Sequence, residues 1–415
     1  MKLTIEEAKR MMDKNNGNLT LAWTDYTELP DPLEVPGDLN LYYSHIQKLP
    51  DNLKVGGFLD IECSDIKDLN TKKLIVGKTL SLSNMPIENL PDYLEVGEDL
   101  YAQDSSITHL PKRLIVRGAC WLSYTNILEI PDNAVFGGSL RISNTKVSKL
   151  PDHLHFINGT LDISKSQISE LPDPLTVKWS LCAEQSQLKV ISNSLIIGSD
   201  MNISHTAVSK LPDGFIVPGT LIIDGCPIKE LPEKLIVGDS MSIQDTEISD
   251  LPDSLTVNGY ILADFGVNEE EGSKLINGDY EKGRYLYIDW ILTHIKRKKK
   301  IGKYDYYVGK IPNINVISDG TYYAHCENIR EGIRDLEFTH AKDRGAEQYR
   351  GIDTDEPIPT SEMIEMYRVI TGACRQGTEA FLQSLGKLKD SYTVREAIEL
   401  TAGHYGSNDF KKFFE

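Results

Sequence analysis

The sequence has no long apolar run and few cysteines, and both absences restrict the classes of protein it can belong to. No stretch of about eighteen apolar residues occurs, so a membrane-spanning helix is not expected. The first seven residues lack the apolar segment of a signal peptide. The six cysteines are far apart and include no Cys-x-x-Cys pair, so neither a zinc site nor a disulfide framework is expected. These absences are typical of a cytoplasmic protein, although a secretion system that reads no signal peptide could export it.

The net charge of −18 is concentrated in one part of the chain. The first 265 residues hold 37 acidic and 22 basic side chains, whereas the remainder holds 25 and 22. An acidic surface repels nucleic acid and anionic membranes, and it favours solubility and basic partners. Neither nucleic acid nor a membrane is therefore expected as a partner.

The tripeptide Leu-Pro-Asp recurs at a spacing of about twenty residues, and degenerate copies bring the series to twelve. An apolar-x-apolar triplet such as Leu39-Asn40-Leu41 follows each copy, and this alternation is typical of a short strand. One strand per repeat predicts a parallel sheet whose middle triplet residues face solvent. The Leu-Pro-Asp segments are expected to be polyproline-like or turn backbone. Unaltered copies begin at Leu29, Leu49, Leu90, Leu150, Leu171, Leu211 and Leu251.

Two further features belong to the repeat. Thr4 and Glu7 form a capping box that predicts a helix over about residues 5–15, which would cover the first repeat. A column of hydroxyl side chains predicts a ladder of hydrogen bonds to buried turn backbone. This column consists of Ser44, Ser64, Ser105, Thr125, Thr145, Ser166, Ser186, Thr206 and Thr246, and Met85 and Cys226 interrupt it.

The short leucine- and proline-rich repeat resembles the bacterial-type leucine-rich repeats of secreted virulence effectors and of proteins encoded by phages and prophages. The resemblance covers about 60% of the chain. It implies a leucine-rich-repeat solenoid of twelve to thirteen repeats in a protein from a bacterial or phage-infected cell. Some of these effectors join the repeat to a ubiquitin-ligase domain, so the resemblance also implies an enzymatic alternative.

The pattern predicts four segments: a cap helix over 1–16, the solenoid over 17–265, a cap or linker over 266–300, and a small α+β domain over 301–415. The basic run Lys296–Lys300 suits a phosphate or nucleic acid, but a solvated turn is the favoured interpretation. The last segment resembles the C-terminal module of phage-encoded hypothetical proteins, to which no activity is attached.

Only one pair of residues resembles catalytic machinery. Cys326 precedes a predicted helix and follows His325, so it could be a thiolate nucleophile. Adjacent strand residues point to opposite faces, so His325 is not expected to activate it. The effector ligases have a longer, all-helical catalytic domain with a Cys-x-Asp element, where this chain has Cys326-Glu327-Asn328. A buried structural cysteine is therefore favoured, a cysteine-dependent enzyme is the alternative, and no cofactor or metal is expected.

The solvent-facing column of the sheet predicts where a partner binds. Tyr101, Trp121 and Arg141 are consecutive members of it, and aromatic and arginine side chains anchor interfaces. Acidic residues surround them, which suits a protein or peptide partner with basic and apolar groups. A surface that merely carries large side chains is the alternative, and the oligomeric state is left open. The predicted partner-binding residues are Tyr42, Glu62, Tyr101, Trp121, Tyr124 and Arg141.

Overall fold

The chain divides into two compact units, Met1–Val267 and Asn268–Glu415. The first is a parallel leucine-rich-repeat solenoid, and the second combines helices with a small antiparallel sheet. The computed structural model describes residues 1–69, 71–263, 285–288, 291–373 and 375–415.

One short strand per repeat builds the first sheet of the solenoid, as the sequence predicts. Each residue faces its equivalent twenty or twenty-one positions later, as Leu19 faces Leu39 and Leu140 faces Leu161. The outer triplet residues are buried, which places the middle residue on the solvent side. Within the described ranges the thirteen strands are Leu19–Thr20, Leu39–Asn40, Leu59–Asp60, Leu80–Ser81, Leu100–Tyr101, Cys120–Trp121, Leu140–Arg141, Leu161–Asp162, Leu181–Cys182, Met201–Asn202, Leu221–Ile222, Met241–Ser242 and Ile261–Leu262.

A second set of parallel strands, which the sequence analysis does not predict, follows the Leu-Pro-Asp segments. They pair into sheets of six, three and three strands in the described part of the chain. Their alternating apolar residues are buried, as in Leu33 and Val35. The strands are Leu33–Val35, Leu53–Val55, Lys73–Val76, Tyr93–Val96, Arg113–Val116, Val135–Phe136, Phe156–Ile157, Thr176–Val177, Ile196–Ile197, Ile216–Val217, Ile236–Val237 and Thr256–Val257.

The hydroxyl ladder is confirmed through most of its length. Thr145 Oγ1 donates to the carbonyl oxygen of Ile142, three residues earlier, at 2.7 Å. Cys226 occupies the same column, and its thiol donates to the carbonyl of Ile203 in the preceding repeat at 3.1 Å. Ser44 is an exception, because its buried hydroxyl has no partner among the described residues. The same bond to the carbonyl three residues earlier recurs at Ser64, Ser105, Thr125, Thr206 and Thr246.

The residue before each ladder hydroxyl has a left-handed backbone conformation. For a residue with a Cβ atom this conformation costs about 1 to 2 kcal/mol, and asparagine and aspartate tolerate it better. Tight turns after each strand impose it, and they point the side chain into solvent. The column is Trp23, Tyr43, Cys63, Asn84, Asp104, Tyr124, Asn144, Lys165, Gln185, His205, Gly225 and Asp245.

The N-terminal end of the solenoid is covered by helix α1, Ile5–Lys14. Its capping box is confirmed, because the Thr4 hydroxyl accepts from the Glu7 N–H while the Glu7 carboxylate accepts from the Thr4 N–H at 2.9 Å. Ala8 and Met12 are buried. These bonds and contacts fix the helix where the sequence analysis places it.

The second unit contains an antiparallel sheet whose strands pair in chain order. The interpretation of Lys296–Lys300 as a turn is wrong, because these residues belong to the strand Ile291–Ile301, which crosses the predicted domain boundary between residues 300 and 301. All five side chains, four of lysine and one of arginine, are exposed, so their charges remain hydrated. The strands are Tyr285–Ile288, Ile291–Ile301, Tyr304–Ile311, Asn315–Ser318 and Tyr323–Cys326.

Helices follow the sheet. Asn328 caps α2, and a capping box of Thr393 and Glu396 begins α5. A short ladder joins Ile358–Pro359 to Ser391–Tyr392. None of the helices in the described ranges has both the length and the apolar character needed to cross a membrane. The helices are α2 Ile329–Arg344, a 3₁₀ turn Ala346–Tyr349, α3 Thr360–Thr371, α4 Arg375–Leu385, α5 Val394–Leu400 and α6 Ser407–Phe414.

The ladder provides a test of what stabilises the solenoid. Thr145→Val keeps the shape of the side chain but leaves the buried Ile142 carbonyl without its donor. We expect the free energy of unfolding to fall by about 1 to 3 kcal/mol in urea denaturation, the usual penalty for an unsatisfied buried group. Thr145→Ser is the matched control, because it keeps the hydroxyl. Equal stability of the valine variant and the native chain would show that the ladder is dispensable.

Candidate interaction surface

Tyr101, Trp121 and Arg141 form one continuous patch, here called the central patch. Strand pairing places Trp121 directly between the other two. The Tyr101 and Trp121 ring centroids are 5.7 Å apart, with planes inclined by 40°. The Arg141 guanidinium carbon lies 4.5 Å from the Trp121 ring centroid, within the range of a cation–π contact. These three predicted residues therefore lie together.

The central patch has unused hydrogen-bonding capacity. Trp121 Nε1, Arg141 Nε and the Oε1 atom of Gln103 are buried without a hydrogen-bond partner among the described residues. Burial, followed by the charge of nearby Asp99, raises the pKa of Tyr101, so this phenol remains neutral. Buried polar atoms without partners are costly, and a ligand that reorganises the side chains could satisfy them.

A second aromatic group, the terminal cluster, consists of Trp23, Tyr42 and Tyr43. The Trp23 and Tyr43 rings stack with centroids 4.4 Å apart and planes 10° from parallel, and Tyr42 meets Tyr43 edge-on at 4.7 Å. Trp23 is 73% exposed, and its backbone has the left-handed conformation. Tyr42 thus belongs to this cluster and lies about 14 Å along the sheet from Tyr101, three strand spacings away.

The remaining predicted residues flank these groups. Tyr124 is exposed on the left-handed column, and it makes no ring contact with the central patch among the described residues. Glu62 is half-buried and accepts a hydrogen bond from the Ser81 hydroxyl. The structure therefore joins Tyr101, Trp121 and Arg141 but separates them from Tyr42 and Tyr124.

Asp60 is a member of this face that the sequence analysis did not single out. It is half-buried in the middle position of its triplet. Desolvation raises the pKa of Asp60, and the charge of Glu62 adds to the rise. A hydrogen bond from the Glu62 N–H, at 3.0 Å, opposes both effects. Because burial disfavours the ionised Asp60 carboxylate, a cationic group of a partner beside it would stabilise that form.

The geometry separates the two residues of the catalytic alternative, Cys326 and His325. Cys326 is 1% exposed and packs with Ile317 and Leu336, whereas His325 points the other way, with Nε2 3.0 Å from Thr293 Oγ1. The described ranges contain no group of three or more His, Cys, Asp or Glu side chains that could hold a metal ion.

Solved structures that resemble the chain include two of YopM. YopM from Yersinia enterocolitica is 18% identical over 64% of this chain and 70% of its own, with a TM-score of 0.37. YopM from Yersinia pestis, described as a leucine-rich effector protein, is 17% identical over 62% of this chain and 91% of its own, with a TM-score of 0.30. No family model and no curated protein matches the sequence. The fold therefore rests on the strand register described above.

Asp60→Asn tests the penalty on the ionised carboxylate. Folding raises the pKa of Asp60 above its ordinary 3.8, so the native chain loses stability as the pH rises from 3.8 through the raised value. The variant should melt at a higher temperature at pH 7 and lose this advantage below pH 3.8. Asparagine can accept the same hydrogen bond, as Asn40 does from the Tyr42 N–H.

Exposed Asp92→Asn is the control for this experiment and should show no such pH-dependent gain. If the difference in melting temperature between Asp60→Asn and the native chain is constant from pH 3 to pH 8, the ionised Asp60 carboxylate carries no penalty.

Thiol accessibility tests the structural role of Cys326. At neutral pH a soluble alkylating reagent should label exposed Cys63 rapidly and buried Cys326 only after unfolding. Peptide mapping by mass spectrometry gives the rate for each site. If Cys326 in the folded chain reacts as fast as a small-molecule thiol, it is accessible and the catalytic alternative is restored.

Proposed function

We propose that the chain is a non-enzymatic interaction scaffold whose solenoid binds a protein partner on the solvent side of its first sheet, the side expected to be concave. Stacked repeats present extended surfaces of this kind. The central patch carries the proposal, because it holds a tryptophan in contact with a tyrosine on one side and an arginine on the other. These residue types supply most of the binding energy in protein interfaces.

The charge around the central patch defines the chemistry of the partner. Asp60 and Glu62 precede the central patch along the sheet. Asp162, which pairs with Arg141, follows it. A segment with one apolar or aromatic side chain flanked by lysine or arginine would fit this arrangement. Its apolar group would cover Trp121, and its cations would face the two acidic flanks.

Trp121→Ala removes the centre of the patch and provides the test. With the full chain as bait in a bacterial lysate, quantitative mass spectrometry identifies the proteins retained by the native chain but lost by the variant. Titration with a protein recovered in this way should show a loss of about 2 kcal/mol or more in binding free energy.

Trp179→Ala is the matched control, because Trp179 is 56% exposed in the turn before the strand Leu181–Cys182 and lies outside the patch. It should retain the same proteins as the native chain. Circular dichroism checks that both variants fold. Should folded Trp121→Ala retain every partner at native affinity, the central patch is not the binding site.

A further inference from the structure

The second unit contains a cavity of about 450 Å³ bounded by α3, α4, α5 and the turn before α6. Its wall is almost entirely apolar, and Met363, Phe381, Leu382 and Leu385 contribute to it. Leu400 and Tyr405 line the cavity and are 40% and 74% exposed, so it opens to solvent. Its size falls within the range of small-molecule sites, about 300 to 1,000 Å³.

The polar groups in the wall already have partners within the protein. The Thr360 hydroxyl donates to the Lys389 carbonyl at 2.6 Å, and the Thr401 hydroxyl donates to that of Ala397 at 2.8 Å. The Tyr367 hydroxyl donates to the backbone of the turn before α6 at 2.6 Å. Water inside the cavity would therefore find few hydrogen bonds, and an apolar ligand would displace it at little loss.

One polar group at the opening differs from the others. The His404 ring lies over Phe381, with centroids 4.6 Å apart, and the residue is exposed. Its ring nitrogens have no hydrogen-bond partner among the described residues. A ring N–H can donate to an anion in the mouth of the cavity, whereas the wall behind it offers only apolar contacts.

We propose that this cavity binds a straight-chain fatty acid, with the acyl chain inside the cavity and the carboxylate at the His404 ring. At about 30 Å³ per non-hydrogen atom, the share a water molecule takes in the liquid, the cavity holds about fifteen atoms. A saturated fatty acid of about thirteen carbons has that size. This site lies in the second unit and does not depend on the solenoid's partner.

Calorimetric titration of the full protein tests whether the cavity holds the acyl chain. The ligands are fatty acids of increasing length, each below its critical micelle concentration. The dissociation constant should fall about fourfold for each added methylene and level off near thirteen carbons. Absence of binding, or affinity that does not depend on chain length, overturns the proposal. Stronger binding of an apolar helical peptide than of dodecanoate also overturns it.

Substitutions on α4 locate the site. Leu382→Trp fills the cavity and should weaken dodecanoate binding by at least tenfold, with Leu385→Phe as a second filling variant if the first does not fold. Gln383→Trp, on the exposed side of the same helix, should bind dodecanoate as the native chain does. Unchanged binding by a folded filling variant overturns the assignment.

The carboxylate position has its own test. His404→Phe keeps a ring over Phe381 but removes the donor, so dodecanoate should bind about tenfold more weakly, as expected for loss of a hydrogen bond to a charged group. Binding of dodecanol should not change. If the native chain binds dodecanol as tightly as dodecanoate, His404 does not hold the carboxylate.

Discussion

The hydrogen-bonded register between consecutive repeats is the constraint on which the rest of the solenoid depends. Leu39 donates its N–H to the Phe58 carbonyl and Leu41 donates to that of Asp60, both at 2.8 Å, and the pattern repeats along the sheet. Residues at the same phase are therefore stacked about 4.8 Å apart. Neighbours on the surface are fixed by a spacing of twenty residues, which is why Tyr101 contacts Trp121 and Trp121 contacts Arg141.

The same register also requires particular side chains at particular positions of the repeat. In many repeats a hydroxyl satisfies a turn carbonyl where the chain leaves a strand. Asn40, Asp60 and Asp162 each accept a hydrogen bond from the N–H two residues later, so the column favours residues with a side-chain oxygen. Its central members depart from this preference. Tyr101, Trp121 and Arg141 give up that bond and form a joined aromatic and cationic surface.

The sequence predicts the parts of the fold that are encoded many times or by local hydrogen bonds. Twelve copies reveal the inward columns, the strands and the hydroxyl ladder, and capping boxes locate α1 and α5. The sequence does not predict the left-handed column, because its residues range from Trp23 to Gly225 and share no side-chain chemistry. The sequence does not predict that the strand continues through Lys296–Lys300, because both faces of this part are exposed and no apolar alternation marks it. The cavity behind His404 depends on how separate helices pack, which no local pattern records.

Several departures from local preference lie on the solvent side of the early and middle repeats. Trp23 and Tyr43 adopt a left-handed backbone that glycine or asparagine would adopt more easily, and they remain exposed. Asp60 is desolvated, and Trp121 has a buried N–H without a partner among the described residues. Each feature lowers stability, whereas the inward strand columns are buried and apolar. Because sequences keep such costs mainly where function requires them, these features support the proposal that a partner binds this face.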